Sequence, residues 1–556
     1  MKPITPRPSS SLPLTVPRAA QAAWVALAIF IWLALLAWVR PLAVPDEGRY
    51  GSVAWAMLQS GDWLVPRLNG LPFFHKPPLF YWIDAQAFQM FGAHPLTVRL
   101  ASLIGGTVGA YALWRFARAE AGAQVARWSL FALLAQPLWY SGAQYANLDM
   151  LVAGCITLTI VLLARAALAM ERAQPHHAVL AAAWTAAAAG VLAKGLIGFV
   201  LPAGVIGLWL LARGRWRVLL RLFLTPGVLL FALIAAPWFV LMQREFPVFL
   251  HYFFVVQHFE RFAEGGFNNA QPMWFFVAVL ALGALPASAW LAPVFRRHYW
   301  RAQPHRQPLR LLMAIWLLLI LVFFSIPQSK LVGYILPAVP PLAFLAADAA
   351  QMVCARAKAR HFALAHAGAL EAAPTLPGAH GATPTSPASA HVTGLTRLWH
   401  LSMAAGALLC LVLPWALGPY QPGSQRILAE TLRKQRTPAE PVIFLHKYYH
   451  DIPLYAHLQH PPLVVDFWRQ LQTEQRDNWQ KEITDAAIFA PRTAQRVLIE
   501  PADLASRLCT LPSAWLAGPA TTPKFYPLLN AVPLVSRNAD TALWHWQRGA
   551  PGMRCP

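Results

Sequence analysis

A chain segment that crosses hydrocarbon must satisfy its own backbone, so about twenty consecutive apolar residues are read as a spanning helix. This sequence has eleven apolar runs of that kind, at 24–39, 100–115, 128–145, 150–169, 178–192, 197–211, 219–241, 274–294, 311–324, 331–347 and 401–417. The reading is a polytopic α-helical membrane protein. Composition agrees, with 57% hydrophobic and 12% charged residues, against about 25% charged in soluble domains. The first run follows Lys2, Arg7 and Arg18 but ends on Arg40 and Pro41 rather than on a small-residue cleavage site. It reads as a retained signal anchor with a cytoplasmic N-terminus.

The net charge of +22 is first a matter of topology. Cytoplasmic loops of membrane proteins collect Lys and Arg. Threading eleven spans from an inside start puts Arg213, Arg215, Arg217 and Arg221 in one inner loop, and Arg296, Arg297, Arg301, Arg306 and Arg310 in another. The outside keeps isolated cations: Arg49, Arg67, Lys76, Arg99, Lys194, Arg244, Arg261 and Lys330. Basic clusters are therefore read as topology, and no nucleic-acid partner is expected. Of twelve Asp and Glu before Tyr420, eight fall outside, among them Asp46, Glu47, Asp62, Asp84 and Asp149. Acids contribute little to topology, so function on that face is expected.

The expected organisation is a transmembrane region over 1–420 and a soluble α/β region over 421–556. Two outside loops, 41–96 and 244–272, are long, and a cytoplasmic linker covers 355–398. The first loop should hold two amphipathic helices, Val53, Ala56 and Met57 sharing one face of the first, and Phe80, Ile83, Ala87 and Met90 one face of the second. These would lie in the membrane interface. Residues 371–392, rich in Ala, Pro, Thr, Gly and Ser, read as a disordered stretch. Strands are expected at 442–445, 463–465, 497–499 and 542–546. The five cysteines show no metal spacing; Cys509 and Cys555, both placed in an oxidising compartment, are candidates for a disulfide.

The densest polar constellation is Pro45-Asp46-Glu47-Gly48-Arg49-Tyr50 followed by His75-Lys76-Pro77-Pro78. Charge of this density beside a membrane is either functional or a solvated loop of weak pairs. Lys194 stands alone between apolar segments and either acts on a substrate or snorkels. His251, His258 and Glu260, with His75, offer metal-type side chains but not a metal motif. No cofactor is required, and the metal content stays open.

The stretch PDEGRYGSVAWAMLQSGDWLVPRLNGLPFFHKPPLFYW resembles the first outer loop of the lipid A 4-amino-4-deoxy-L-arabinose transferases, part of a multispan glycosyltransferase superfamily that includes the protein O-mannosyltransferases. SGAQYANLDM, LAKGLIGF, HYFFVVQHFERF and SKLVGYILPAVPPLA extend the likeness loosely to about Ala343. Gly48-Arg49-Tyr50 and Lys76-Pro77-Pro78 favour the aminoarabinose branch. The resemblance allows eleven to thirteen spans but not an even number.

It implies an undecaprenyl phosphate-linked sugar as donor, lipid A as acceptor, and an active site at the periplasmic face of the bacterial inner membrane. Glycosyl transfer passes through an oxocarbenium-like state while charge builds on the departing oxygen, and fixed cations stabilise that charge. Arg49, Lys76 and Lys194, with Tyr334, are the candidates for the donor phosphate. Asp46 matches the family's catalytic carboxylate, and Glu47 is its partner or instead holds Arg49 or Lys76. Tyr50 and Asp149 are expected against substrate, Asp149 alternatively as a pair to Lys194. Another polyprenyl-phosphate-sugar transferase with a protein or glycan acceptor, and a membrane transporter, are the competing readings. A transporter would carry its ionisable groups near the midplane, whereas here they gather at one surface.

Overall fold

The computed structural model describes residues 18–260, 269–371, 387–418, 421, 423–471 and 478–549. All eleven apolar runs are largely helical. Among the described residues, six helical stretches are long and apolar enough to cross a membrane singly: Leu148–Glu171, His177–Lys194, Gly227–Glu245, Pro304–Ser325, Val332–Ala359 and Gly394–Ala416. The pair Phe275–Gly283 and Ala287–Phe295, bent by 116°, makes a seventh when taken as one broken span. The chain is a multi-pass membrane protein. Breaks explain why hydropathy counts more runs than uninterrupted helices: proline ends the preceding helix by removing a donor and crowding its neighbour. Pro137, Pro226 and Pro286 interrupt three of the runs in this way.

The elements that position the polar motifs are few. Helix α1 (Arg18–Ala34) leads to α2 (Asp46–Ser60), which starts after Pro45 and stops at Gly61 in the left-handed region, φ 69°. Asp46 and Glu47 in its first turn suit the positive end of the helix. A short hairpin, β1 (Arg67–Leu68) and β2 (Leu71–Pro72), precedes α3 (Leu79–Phe91). Then come α4 (Leu100–Glu120), α5 (Leu148–Glu171) and α6 (His177–Lys194), which pack against one another.

Val53 and Met57 are buried as expected, as are Phe80 and Ala87 of α3, but the buried face of α3 also takes in Tyr81, Asp84, Ala85 and Phe88, while Met90 is exposed. Asp84 explains the extension. Its carboxylate is buried and accepts the amide of Ala101 at 3.1 Å, capping the first turn of α4. Asp62 likewise accepts the amides of Leu64 and Val65 and pairs with Arg67. These two outer acids hold turns and helix ends together, so the outward bias of the acids is only partly explained by chemistry.

The C-terminal region carries a six-stranded sheet in the order β5-β4-β3-β6-β8-β7. Its strands are β3 (Val442–Leu445), β4 (Leu463–Val465), β5 (Leu498–Ile499), β6 (Ser513–Pro519), β7 (Leu534–Asn538) and β8 (Thr541–Gln547). The first four in that order are parallel, and β8 pairs antiparallel with both β6 and β7. Sequence periodicity anticipates β3, β4, β5 and β8 but not β6 or β7. Strand β6 reads SAWLAGP, whose alanines, glycine and proline hide a buried central strand. Helix α7 (Trp479–Phe489) turns back toward the membrane region.

This sheet is fastened to α2. Ser52 Oγ donates to the His450 carbonyl at 2.5 Å and Trp55 Nε1 to the Leu458 carbonyl at 2.8 Å. Gly48 makes the contact possible, since a Cβ there would lie 2.9 Å from the Asp451 nitrogen. Tyr448, Ile452 and Leu454 share one buried cluster with Val53, Phe80 and Val98. Cys509 is disulfide-bonded, and its expected partner Cys555 lies outside the described residues, as does most of the expected linker 371–392; a helix begins at Pro387.

Glu440 ties three strands. It accepts from Ser513 Oγ (2.7 Å), Trp515 Nε1 (3.0 Å), the Thr437 amide (2.9 Å) and His545 Nε2 (2.9 Å). Burial raises its pKa, but these donors outweigh burial and leave it at about 2. A depressed carboxylate stabilises the fold above its unfolded pKa, and that stabilisation fades as pH falls through the folded value. Amide protection factors of β6 and β8 peptides, taken relative to intrinsic exchange at each pH, should therefore fall between about pH 4.5 and 2. A Glu440→Gln protein should lack that acid-dependent component, and identical profiles for both would remove Glu440 from the sheet's acid response.

Candidate active site

Glu47 and Asp46 are neighbours in sequence and face different surroundings. The Glu47 carboxylate is buried and receives six hydrogen bonds. Arg40 gives two (2.7 and 3.0 Å), Arg99 two (2.7 and 2.8 Å), and the amides of Ala43 and Ala146 one each (2.7 and 2.9 Å). Burial opposes its charge, but Arg99 and then Arg40 hold its pKa down to about 2. Arg99, itself buried, also donates to the carbonyls of Ala37, Arg40 and Pro41. This knot joins the end of α1, the start of α2, the start of α4 and the loop before α5. The expectations that Glu47 shares the chemistry, or holds Arg49 or Lys76, are therefore corrected. Its oxygens are taken by Arg40 and Arg99, and it does not line the cavity beside it.

That cavity, about 480 Å³, lies between the helices and the C-terminal region. Asp46, Arg49, Tyr50, Lys76, Asp149, Lys194 and Tyr334 all line it. They come from α2, the loop before α3, the first turn of α5, the last residue of α6 and the turn Val332–Ala338. Asp46 is reached by Arg49 Nη2 at 2.6 Å and by the Tyr145 hydroxyl at 3.3 Å. Arg49 also pairs with Glu482 of α7. Burial works against the Arg49 charge, yet Glu482 and then its other neighbours more than offset it, so the pKa is raised and the cation is permanent. Tyr50 lies under the guanidinium, 5.6 Å from ring centroid to Cζ.

On the opposite wall Asn147 caps α5, its Oδ1 accepting the Asp149 amide at 3.1 Å. This fixes Asp149, whose carboxylate pairs with Lys194. Lys194 Nζ also sits 4.4 Å from the centroid of the Tyr334 ring, a cation–π distance. Gly333 lets that turn close in, because a Cβ would stand 2.3 Å from Asp149 Oδ2. Asp149 thus has both properties left open by the sequence: it faces the cavity and it pairs with Lys194.

The C-terminal region completes the wall with His450, Asn478, Trp479 and Glu482. Burial, and then Arg49, keep His450 well below the usual histidine range, so its ring is neutral. Nothing in the sequence marks these four, because they lie about 400 residues beyond the motif they complete. Arg40 and Arg99 carried a weak signal as isolated cations at span ends. Of the metal-type side chains, His75 lines the cavity, stacked on Phe73 with centroids 4.6 Å apart. His251 is exposed, and the side chains of His258 and Glu260 lie outside the described residues. Among the described residues no three His, Cys, Asp or Glu gather to hold a metal. The arrangement can receive an anionic group between Arg49, Lys76 and Lys194 while presenting Asp46 to whatever lies beside it.

The Dolichyl-phosphate-mannose-protein mannosyltransferase family profile matches residues 75–241. The undecaprenyl phosphate-alpha-4-amino-4-deoxy-L-arabinose arabinosyl transferase 1 of Sodalis glossinidius is 35% identical over 58% of this chain and 57% of its own length. The corresponding Pseudomonas aeruginosa transferase is 34% identical over 55% of each. The aligned part thus spans little more than half the length of these curated relatives. The crystal structure of ArnT from Cupriavidus metallidurans bound to undecaprenyl phosphate superposes with a TM-score of 0.74 at 26% identity, over 96% of this chain and 99% of that one. The archaeal oligosaccharyltransferase AglB from Archaeoglobus fulgidus shares the fold at a TM-score of 0.50 and 14% identity, over 91% of this chain and 70% of that one. The resemblance drawn from the stretch Pro45–Trp82 is matched by similarity to the aminoarabinose arabinosyl transferases over 55–58% of this chain.

Proposed function

We propose that this relative of the aminoarabinose arabinosyl transferases moves 4-amino-4-deoxy-L-arabinose from undecaprenyl phosphate to a lipid A phosphate at the periplasmic face of the bacterial inner membrane. The observation that carries the reading is the convergence of Asp46, Arg49, Lys76, Asp149, Lys194 and Tyr334, from separate elements, on one cavity. Its cations suit a phosphate-linked sugar, and the membrane helices beneath it suit two substrates with apolar tails.

In this mechanism the bond between the sugar's C1 and the carrier phosphate oxygen breaks as an acceptor phosphate oxygen forms a bond to C1 from the opposite face. Configuration inverts, and undecaprenyl phosphate leaves. Arg49, Lys76 and Lys194 stabilise the charge that builds on the departing phosphate; Arg49 offers a planar fork and each lysine a point charge. The Arg49 cation is held by Asp46 and Glu482 beforehand, so it costs little reorganisation as charge develops. An acceptor phosphate is already anionic near neutral pH, so Asp46 orients the reacting groups and stabilises the cationic sugar rather than removing a proton. Asp149 supports Lys194 and faces the amino group of the sugar. Adding an amino sugar to a lipid A phosphate lowers negative surface charge and with it the binding of cationic peptides such as polymyxin.

Purified protein supplied with aminoarabinosyl undecaprenyl phosphate and lipid A should yield lipid A heavier by one aminoarabinosyl unit in mass spectrometry. An Asp46→Asn protein should not, and cells carrying it should lose protection against polymyxin. Unmodified lipid A alongside glycosylation of a protein or another glycan would transfer the proposal to the competing acceptor class.

A further inference from the structure

We propose that a second cavity, at the carboxyl ends of the parallel strands in the C-terminal sheet, is a binding site for a neutral pyranose saccharide. The chain runs from β3 outward to β4 and β5, then returns to place β6 on the other side of β3. Strand order reverses between β3 and β6, and open α/β sheets bind ligands in the crevice outside that point. A cavity of about 620 Å³ opens there, sharing no lining residue with the one around Asp46. Its size is within the range of small-molecule sites.

His446 follows the last residue of β3 with φ 52°, a left-handed backbone that non-glycine residues adopt at a cost, typically at functional positions. Its ring joins two partners: Nδ1 lies 3.2 Å from Asp466 Oδ1, and Nε2 lies 2.7 Å from the Tyr526 hydroxyl. Asp466 follows β4 and also accepts from Gln480 Nε2 and the Phe467 amide, each at 2.9 Å. Burial raises its pKa, but His446 and the other donors lower it overall, so it is an acceptor only. His446 Nδ1 therefore presents a proton to Asp466, and the Tyr526 hydroxyl, held by Nε2, keeps a hydrogen-bonding position for a ligand hydroxyl.

The ligand class follows from the walls. Phe467 and Tyr526 both lie close to parallel with the His446 ring, each with its centroid 5.5 Å away. Phe467 is 53% and Phe525 75% exposed, so aromatic faces, negative at their centres, are offered to the C–H face of a sugar ring. Thr521 adds a hydroxyl. Among the described residues no Lys, Arg, Asp or Glu lines the cavity, and β3 is followed by His446-Lys447-Tyr448 rather than the glycine turn that cradles a phosphate. A molecule with hydroxyls, an apolar face and no charge meets these conditions; a nucleotide does not.

The test is saturation-transfer NMR on the full chain in phospholipid nanodiscs, which avoid sugar-headed detergents, with cellobiose and di-N-acetylchitobiose as probes. The parent protein should transfer saturation to the ring protons of at least one probe. Phe467→Ala and Tyr526→Phe should weaken transfer at least fivefold without changing thermal unfolding, and Lys194→Ala should leave it unchanged. No transfer from the parent protein overturns the proposal. So does transfer lost in Lys194→Ala but kept in Phe467→Ala, which would place the sugar in the other cavity.

Discussion

A Lys194→Ala protein is expected to insert into the membrane as the parent does and to transfer sugar on the order of a hundredfold more slowly, the usual loss when one group placed against developing charge is removed. Lys194 ends α6, and its ammonium is held from one side by Asp149 and from the other by the Tyr334 ring. Its charge is therefore fixed before substrate arrives. A purely structural lysine could mimic the loss by leaving Asp149 partly buried and uncompensated. The Lys194→Ala/Asp149→Asn double variant, compared with Asp149→Asn alone, separates the two cases, because it removes the stranded charge along with the cation. If Lys194 acts on the leaving phosphate, the double variant stays far slower than Asp149→Asn in single-turnover transfer. Equal rates in the two would reduce Lys194 to a counter-ion for Asp149.

The second large effect concerns stability. Glu47→Ala should destabilise the protein by about 3–5 kcal/mol, the cost of stranding a buried charge partner. Here two arginines lose a shared carboxylate, and Arg99 is buried completely. Thermal unfolding in detergent should show a large drop in Tm. The conservative Glu47→Gln retains acceptors for some of the six donors and should fall between. A Glu47→Ala protein with parental Tm but no transfer would instead return Glu47 to the chemistry. This contrast with Asp46 matters for reading any inactive variant of the motif. Adjacent acids on the first turn of α2 point about 100° apart, one into the knot of arginines and the other into the cavity.

Much of the architecture was legible in the sequence. Runs such as 150–169 and 331–347 could only be helices, because hydrocarbon forbids an unsatisfied backbone. The Pro45–Tyr50 and His75–Pro78 motifs marked one site, since charge is costly beside a membrane unless something uses it. Strands β3 and β4 announced themselves by short apolar runs. Tertiary structure decided what one-dimensional pattern does not encode. Asp84 is polar by type, yet it joins the buried face of α3 because the open end of α4 needs an acceptor. Glu47 leaves the cavity because Arg40 and Arg99, seven residues before it and fifty-two after, converge on it. Glu482 and His450 enter the site only because Gly48 lets the C-terminal sheet seat directly on α2. Residue type and spacing determined which groups are available, and long-range packing, which carries no local signature, determined which of them face the cavity.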